Sequence, residues 1–249
     1  MKKIVFLMFA AGVMMTLGMA SCNKDDDNTN NNTNTTTPTN PTNPTDPTNP
    51  TNPTTGEWVD LGLPSGLLWA KCNLGATTPE GKGNYYAWGE TQTKSEYSWA
   101  NYIYGDYDSE TGTYTMYKYN TLESYGTVDN KTTLEASDDV ATAVLGSGAR
   151  IPTQAEWEEL LDNTTAEWTV VNYVNGCKFT ASNGNSLFLP AAFYRNGSSL
   201  YGLYWSSSLN ESGPYGAWSM YFDSDGRYVD YYDGDRFYGR SVRAVRSQN

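Results

Sequence analysis

The sequence predicts an α+β domain of short antiparallel strands with two helices. Three observations carry this. From residue 57 onward, apolar and aromatic residues come in short runs bounded by Gly, Pro, Asn and Ser, the punctuation of strands rather than of long helices. Only two stretches show a helix start signal. The segment 57–249 has the size of one domain.

The elements follow in order. Runs at 58–61 and 67–70 flank Leu63-Pro64-Ser65-Gly66, which puts Pro at the second turn position and Gly at the fourth, so the domain is expected to open on a hairpin. A strand is expected at 85–88. Ser137 is expected to cap a short helix over 138–145 that stops at Gly146. Thr153-Gln154-Ala155-Glu156 reads as a capping box, with Trp157, Leu160 and Leu161 at helical spacing behind it. Further strands are expected at 168–171, 178–180, 187–189, 204–206 and 217–222. In the last of these, Trp218, Met220 and Phe222 alternate with Ser219, Tyr221 and Asp223, so one set should enter the core and the other face outward.

The N-terminus predicts export. Lys2 and Lys3 precede an apolar run over 4–17, too short to span a bilayer, and the segment 1–21 reads as a signal peptide. Ala20-Ser21-Cys22 resembles a bacterial lipobox, which implies an acylated Cys22 as the mature N-terminus and outer-membrane lipid as its partner; buried acyl chains contribute about 0.8 kcal/mol per methylene. Asp25, Asp26 and Asp27 form an acidic run that resembles the export signal of gut Bacteroidetes-type lipoproteins, implying exposure at the cell surface. The rest of 22–56 is a stalk: between 28 and 55 there is no aliphatic or aromatic residue, and prolines recur every third position from Pro38 to Pro53. That spacing favours polyproline II, about 3.1 Å per residue and roughly 90 Å at full reach.

Charge and residue inventory exclude several functions. Removing Lys2 and Lys3 takes the formal charge from −12 to −14, which opposes nucleic acid and anionic surfaces as partners. The chain has no histidine, so Ser-His-Asp and Cys-His nucleophiles and imidazole ligands are excluded. Asp138-Asp139 and Glu158-Glu159 are adjacent, so on helices they should diverge as solvated faces. Asp223, Asp225, Asp230, Asp233 and Asp235 do not have EF-hand spacing, and no metal or cofactor is expected. Whether Cys72 and Cys177 pair is open.

Several ordered motifs carry a family likeness: "WVDLGLPSGLLWAKCNLGA" (58–76), "YYAWGET" (85–91), "RIPTQAEWEELL" (150–161), "NGNSLFLPAA" (183–192), "YWSSS" (204–208) and "GRSVRAVR" (239–246). Together they resemble the Fibrobacter succinogenes major paralogous domain, which is similar to the formylglycine-generating-enzyme branch of the C-type lectin fold. The resemblance implies a lectin-like domain over 57–249. The enzymes of that branch use a cysteine pair near the C-terminus, whereas no cysteine follows Lys178 here, so no enzyme is expected. The calcium-binding Glu-Pro-Asn, Gln-Pro-Asp and Trp-Asn-Asp motifs of sugar-binding lectins are absent too.

The region 200–240 holds eight tyrosines in 41 residues among Ser, Gly and Asp. This is a paratope-like composition, since tyrosine offers a large amphipathic contact at small entropic cost. Plain strand-connecting loops would share the Gly, Ser and Asp content. The layout also resembles the variable target proteins of diversity-generating retroelements, in which adenine-directed mutation of AAC codons reaches Tyr, Asp, Ser, Gly and Phe but not Lys, Gln, Glu, Met or Trp. Asn210, Ser212, Tyr215, Gly216, Ser219, Tyr221, Asp223, Asp225, Gly226, Tyr228, Asp230, Tyr231, Tyr232, Asp233, Gly234, Asp235, Phe237 and Tyr238 all hold reachable residues. Trp205, Glu211, Trp218 and Met220 are unreachable and would be scaffold. Tyr201, Tyr215, Tyr221, Tyr228, Tyr232 and Tyr238 are the expected anchors for an extracellular protein or glycan, the aspartates favouring a basic or hydroxyl-rich partner. An invariant structural or adhesive, glycan-binding surface lipoprotein is the alternative, ahead of an enzyme of the formylglycine-generating type.

Overall fold

The turn at 63–66 forms as its chemistry dictates: the Gly66 N–H donates to the Leu63 carbonyl at 2.9 Å, and Gly66 takes φ +66°, where a side chain would be strained. It joins β1 (Trp58–Asp60) to β2 (Leu68–Ala70) as an antiparallel hairpin with Val59 opposite Trp69. The computed structural model describes residues 57–195, 199–231 and 234–248, all within a compact unit spanning 46–249. The expected signal peptide, Cys22 and the stalk lie outside the described residues, as do Tyr232 and Asp233.

Beyond β2 come β3 (Gly105–Asp108), β4 (Thr113–Met116), α1 (Val140–Leu145), β5 (Ala149–Arg150) and α2 (Gln154–Asp162). Eight strands complete the chain: β6 (Thr164–Val171), β7 (Val174–Ala181), β8 (Ser186–Pro190), β9 (Phe193–Arg195), β10 (Ser199–Leu209), β11 (Ala217–Phe222), β12 (Arg227–Asp230) and β13 (Val245–Arg246). They form sheets in the orders β1-β2-β13-β5, β12-β11-β10-β9, β6-β7-β8 and β3-β4, every strand pairing being antiparallel. The domain is therefore mostly antiparallel sheet with two α-helices among the described residues, as an α+β reading requires.

The capping box at Thr153 closes as its sequence implies. The Thr153 hydroxyl accepts from the Glu156 N–H at 3.3 Å, and the Glu156 carboxylate accepts from the Thr153 N–H at 2.8 Å. Arg150 adds a forked pair to the same carboxylate at 2.6 and 2.5 Å. On the far side of α2, Trp157 and Leu160 are buried against Trp69, Phe179, Leu189, Tyr204, Met220 and Phe222. Each large apolar side chain removed from water here contributes about 1.5–3 kcal/mol.

Three expectations are corrected. Asp139, not Ser137, caps α1: its Oδ1 accepts from the N–H groups of Ala141 (2.8 Å) and Thr142 (3.2 Å), and its Oδ2 from Ile151 (2.8 Å). Because of these bonds, and the Tyr119 hydroxyl and Lys118 ammonium on Asp138 at 2.5 Å each, the pair Asp138-Asp139 is buried rather than solvated. Residues 85–88 make only a bridge from Tyr86 to Arg240, not a strand. The hairpin β3–β4 was not anticipated, because its alternating Gly, Asp, Thr and Tyr lack the apolar content of the other strands. The cysteines are both free, Cys72 half-buried and Cys177 buried.

The arginines near the C-terminus explain "GRSVRAVR". Arg243 is fully buried and donates to Asn73 Oδ1 (2.9 and 2.7 Å) and to the carbonyls of Ala70, Lys71 and Phe188 (3.1, 2.9 and 3.1 Å), tying β2 and β8 together. Burial pushes its pKa down to about 10, so it stays charged at neutral pH.

One turn stores strain. Val171 and Val174 pair across a two-residue loop in which Asn172 and Tyr173 take φ +48° and +66°. Such a turn favours Asn-Gly, yet its second position here is a tyrosine that is 100% exposed. Tyr173→Gly is expected to raise unfolding stability by about 1 kcal/mol in a denaturant melt, since it relieves a left-handed residue and removes no contact of the core.

Candidate ligand-binding face

The sheet β12-β11-β10 places one face in the core and one outside. Met220 and Phe222 are fully buried, while Tyr221 and Asp223 between and after them are part-exposed, so the expected alternation holds over 220–223. Gly202 makes the packing feasible: a Cβ there would stand 2.1 Å from the Phe222 ring. On the outer face Tyr221 lies directly opposite Tyr228, with ring centroids 4.8 Å apart and planes 22° apart. Tyr201, diagonal to Tyr221 on β10, stacks on it at 5.7 Å and 26°. Three strands thus supply one ladder of three tyrosines, with Tyr228 47% exposed.

Asp223 positions that ladder. Its Oδ1 accepts from the N–H groups of Asp225 and Gly226 at 2.8 Å each, closing the β11–β12 turn, and its Oδ2 accepts from the Tyr221 hydroxyl at 2.6 Å. Burial alone would raise the Asp223 pKa, but the Tyr221 hydroxyl and the two N–H donors outweigh it and hold the carboxyl below the usual range. The same hydrogen bond adds to burial in pushing the Tyr221 phenol well up. A depressed carboxyl stabilises the fold above its unfolded pKa of about 3.9, and that contribution is lost as pH falls through the folded value. Acid melts of Asp223→Asn are therefore expected to show a flatter loss of stability below about pH 4 than the parent chain. Asp225 is exposed at the turn tip and accepts from Ser224 Oγ at 3.0 Å; Asp230, half-buried on β12, accepts from the Tyr231 N–H at 2.6 Å.

Other expected residues gather elsewhere. Tyr215 stacks on Tyr114 of β4 at 4.4 Å and 14°, and contacts Tyr125 at 5.7 Å. Tyr114 lies beside Tyr107 of β3 at 4.6 Å; Trp99 touches both Tyr114 (5.4 Å) and Phe237 (5.1 Å), and Phe237 meets Tyr238 at 4.2 Å. Tyr238 is 40% exposed. Burial raises the Tyr114 and Tyr215 phenols, with the Asp235 carboxylate adding to both. This second aromatic surface joins the C-terminal stretch to the hairpin β3–β4. Sequence reasoning missed its hairpin half, although the tyrosines of "GDYDSETGTYTM" alternate around a Ser-Glu-Thr-Gly turn and carried a signal.

Arg236 fastens the two halves. Fully buried, it donates to the carbonyls of Pro214 (2.7 Å), Lys118 (2.9 Å) and Tyr119 (3.1 Å) and to the Tyr102 hydroxyl (2.8 Å), and its guanidinium lies 5.0 Å over the Trp88 ring.

Two candidates do not face a ligand as expected, and one scaffold residue is not in the core. Ser219 is 2% exposed, because Arg240 reaches it at 2.5 Å and its own hydroxyl donates to the Asp230 carbonyl at 3.2 Å. Asn210 is 6% exposed and its Oδ1 accepts from Ser212 N–H (3.2 Å) and Oγ (2.8 Å), so Asn210 and Ser212 together close a turn. Trp218, expected in the core, is part-exposed against Tyr231 at 4.9 Å. Among the described residues no group of three or more His, Cys, Asp and Glu side chains is placed to hold a metal ion.

In comparisons with known proteins, no family model, curated protein or solved structure matches this chain.

Proposed function

We propose that the chain is a lipid-anchored surface protein whose stalk displays a lectin-type domain of the major paralogous kind, and that the domain binds an extracellular protein or glycan through its C-terminal tyrosines. The observation that carries this reading is the placement of Tyr201, Tyr221 and Tyr228 as a part-exposed ladder on a sheet whose other face is core. Stacked rings held by three strands and by the Asp223 carboxylate are pre-organised, so little side-chain entropy remains to be lost on binding. The work is contact, not chemistry.

The C-terminal stretch is also proposed to be diversified by a retroelement, and the packing limits how. Tyr228 and Tyr238 are exposed and Tyr215, Tyr221 and Phe237 part-exposed, whereas Asn210 and Ser219 are internal, and at Gly234 a Cβ would stand 2.5 Å from the Tyr231 carbonyl. Sequencing the gene's 3′ end and flanking DNA across isolates tests this. Variation at the first five positions with little at the other three, beside a reverse transcriptase and an adenine-rich template, is the expected result. An invariant 3′ end without a template would refute diversification and leave a binder of one dedicated ligand.

A further inference from the structure

Resting on the binding reading above, we infer that the hairpin β3–β4 is half of the second aromatic surface's binding site, and that this surface takes an arginine-bearing segment of a partner protein. Charge selects the partner. Between residues 96 and 129 the chain holds six carboxylates (Glu96, Asp106, Asp108, Glu110, Glu123 and Asp129) against one cation, Lys118. Lys118 is committed to Glu135 at 2.6 Å and Asp138 at 2.5 Å. The flanking lysines are committed as well, Lys94 to Glu90 at 2.5 Å and Lys131 to Glu135 at 2.7 Å. Asp129 turns inward onto the Tyr119 and Asn120 N–H groups, but the other five carboxylates make no ion pair among the described residues.

Among the described residues of the C-terminal half the arginines are already engaged: Arg240 and Arg243 are buried and Arg246 stacks on Trp58. Arg236 is buried, and Arg227 directs its guanidinium to Cys177 at 3.9 Å. What remains is a run of part-exposed aromatic rings, Tyr107, Tyr114, Tyr215 and Trp99, with the Asp235 carboxylate acting on Tyr114 and Tyr215, Glu123 in the same turn as the Tyr125 ring that meets Tyr215, and Glu110 at the tip of the hairpin. A guanidinium is suited to this: planar, weakly hydrated, able to stack on an aromatic face while its edge pairs with a carboxylate. The chain uses the same stacking internally, with Arg246 lying 4.5 Å over Trp58. An anionic polymer would be repelled, and a neutral glycan would leave the carboxylates unanswered.

The test uses the full chain and a short Gly-Ser peptide bearing several arginines. Its citrulline analogue serves as a neutral isostere and a neutral oligosaccharide as the rival ligand, all measured by calorimetry. Binding of the arginine peptide is expected to weaken at least about ten-fold with citrulline, and equally in Tyr107→Ala/Tyr114→Ala. Should that variant disturb the hairpin, Glu110→Gln/Glu123→Gln keeps the shapes, removes two exposed charges and is expected to weaken binding in the same direction. Tyr173→Gly, on the remote β6–β7 turn, should bind as the parent does. Equal affinity for arginine and citrulline peptides, or indifference to the hairpin variants, overturns the inference. So does binding of the oligosaccharide in place of the peptide, an outcome that leaves the binding role of the C-terminal tyrosines standing.

Discussion

Replacing Arg236 with methionine is expected to cost about 4 kcal/mol or more of unfolding stability, the largest effect of any single substitution considered. A methionine would fill much of the volume but donate nothing, leaving the Pro214, Lys118 and Tyr119 carbonyls buried without their donor. Each such orphan costs about 1–3 kcal/mol, and hydrogen bonds to a charged donor contribute about 1.5–3 kcal/mol each. The guanidinium also gives up its stacking on Trp88. Arg236→Lys should recover only part of the loss, because a single ammonium cannot reach carbonyls spread around a planar fork. Denaturant melts of both variants, read beside the parent, measure this. A further consequence is local: with the clamp gone, Tyr114 and Tyr215 lose the connection that stacks them, so near-ultraviolet dichroism should weaken before the far-ultraviolet signal changes.

The second large effect is on binding. Tyr221→Ala/Tyr228→Ala is expected to weaken the ligand by about 100-fold or more, as two adjacent aromatic hot spots at about 2 kcal/mol each would. Both rings lie on the outer face, opposite Met220 and Phe222 in the core, so the melting temperature should move little. A large fall in stability would mean that the ladder holds the sheet together rather than meeting a partner. The single variant Tyr221→Phe separates the two roles further: it keeps the stack and removes only the hydroxyl that Asp223 accepts.

How much of this was legible in the sequence depends on how local each signal is. The first hairpin and α2 were readable because a Pro-Ser-Gly turn and a capping box are complete within four residues. The strand 217–222 was readable because Met220 and Phe222 keep strict alternation toward one core. α1 was placed close to its position but with the wrong cap, since Ser137 and Asp139 are both good caps and only the fold brings Ile151 to Asp139. The hairpin β3–β4 escaped because its tyrosines pack on partners more than a hundred residues away, on Tyr215 and, through Trp99, on Phe237.

The candidate site divides the same way. Composition singled out the tyrosines of 200–240, but strand pairing decides that Tyr201, Tyr221 and Tyr228 form one surface and Tyr215, Phe237 and Tyr238 another. Alternation alone places Ser219 outward. Arg240, a residue twenty-one positions later, reaches it and makes that side of the strand internal as well. Asp223 was expected to meet a ligand, and instead both of its oxygens are used to shape the turn and to hold Tyr221.

The most direct test of the central claim is hydrogen exchange on the full chain with and without a ligand selected from protein and glycan arrays. Slowed exchange at the amides of β10, β11 and β12 around Tyr201, Tyr221 and Tyr228 is the expected result. Exchange there unchanged by a bound ligand, with protection instead at a remote feature such as the β6–β7 turn at Tyr173, would contradict it.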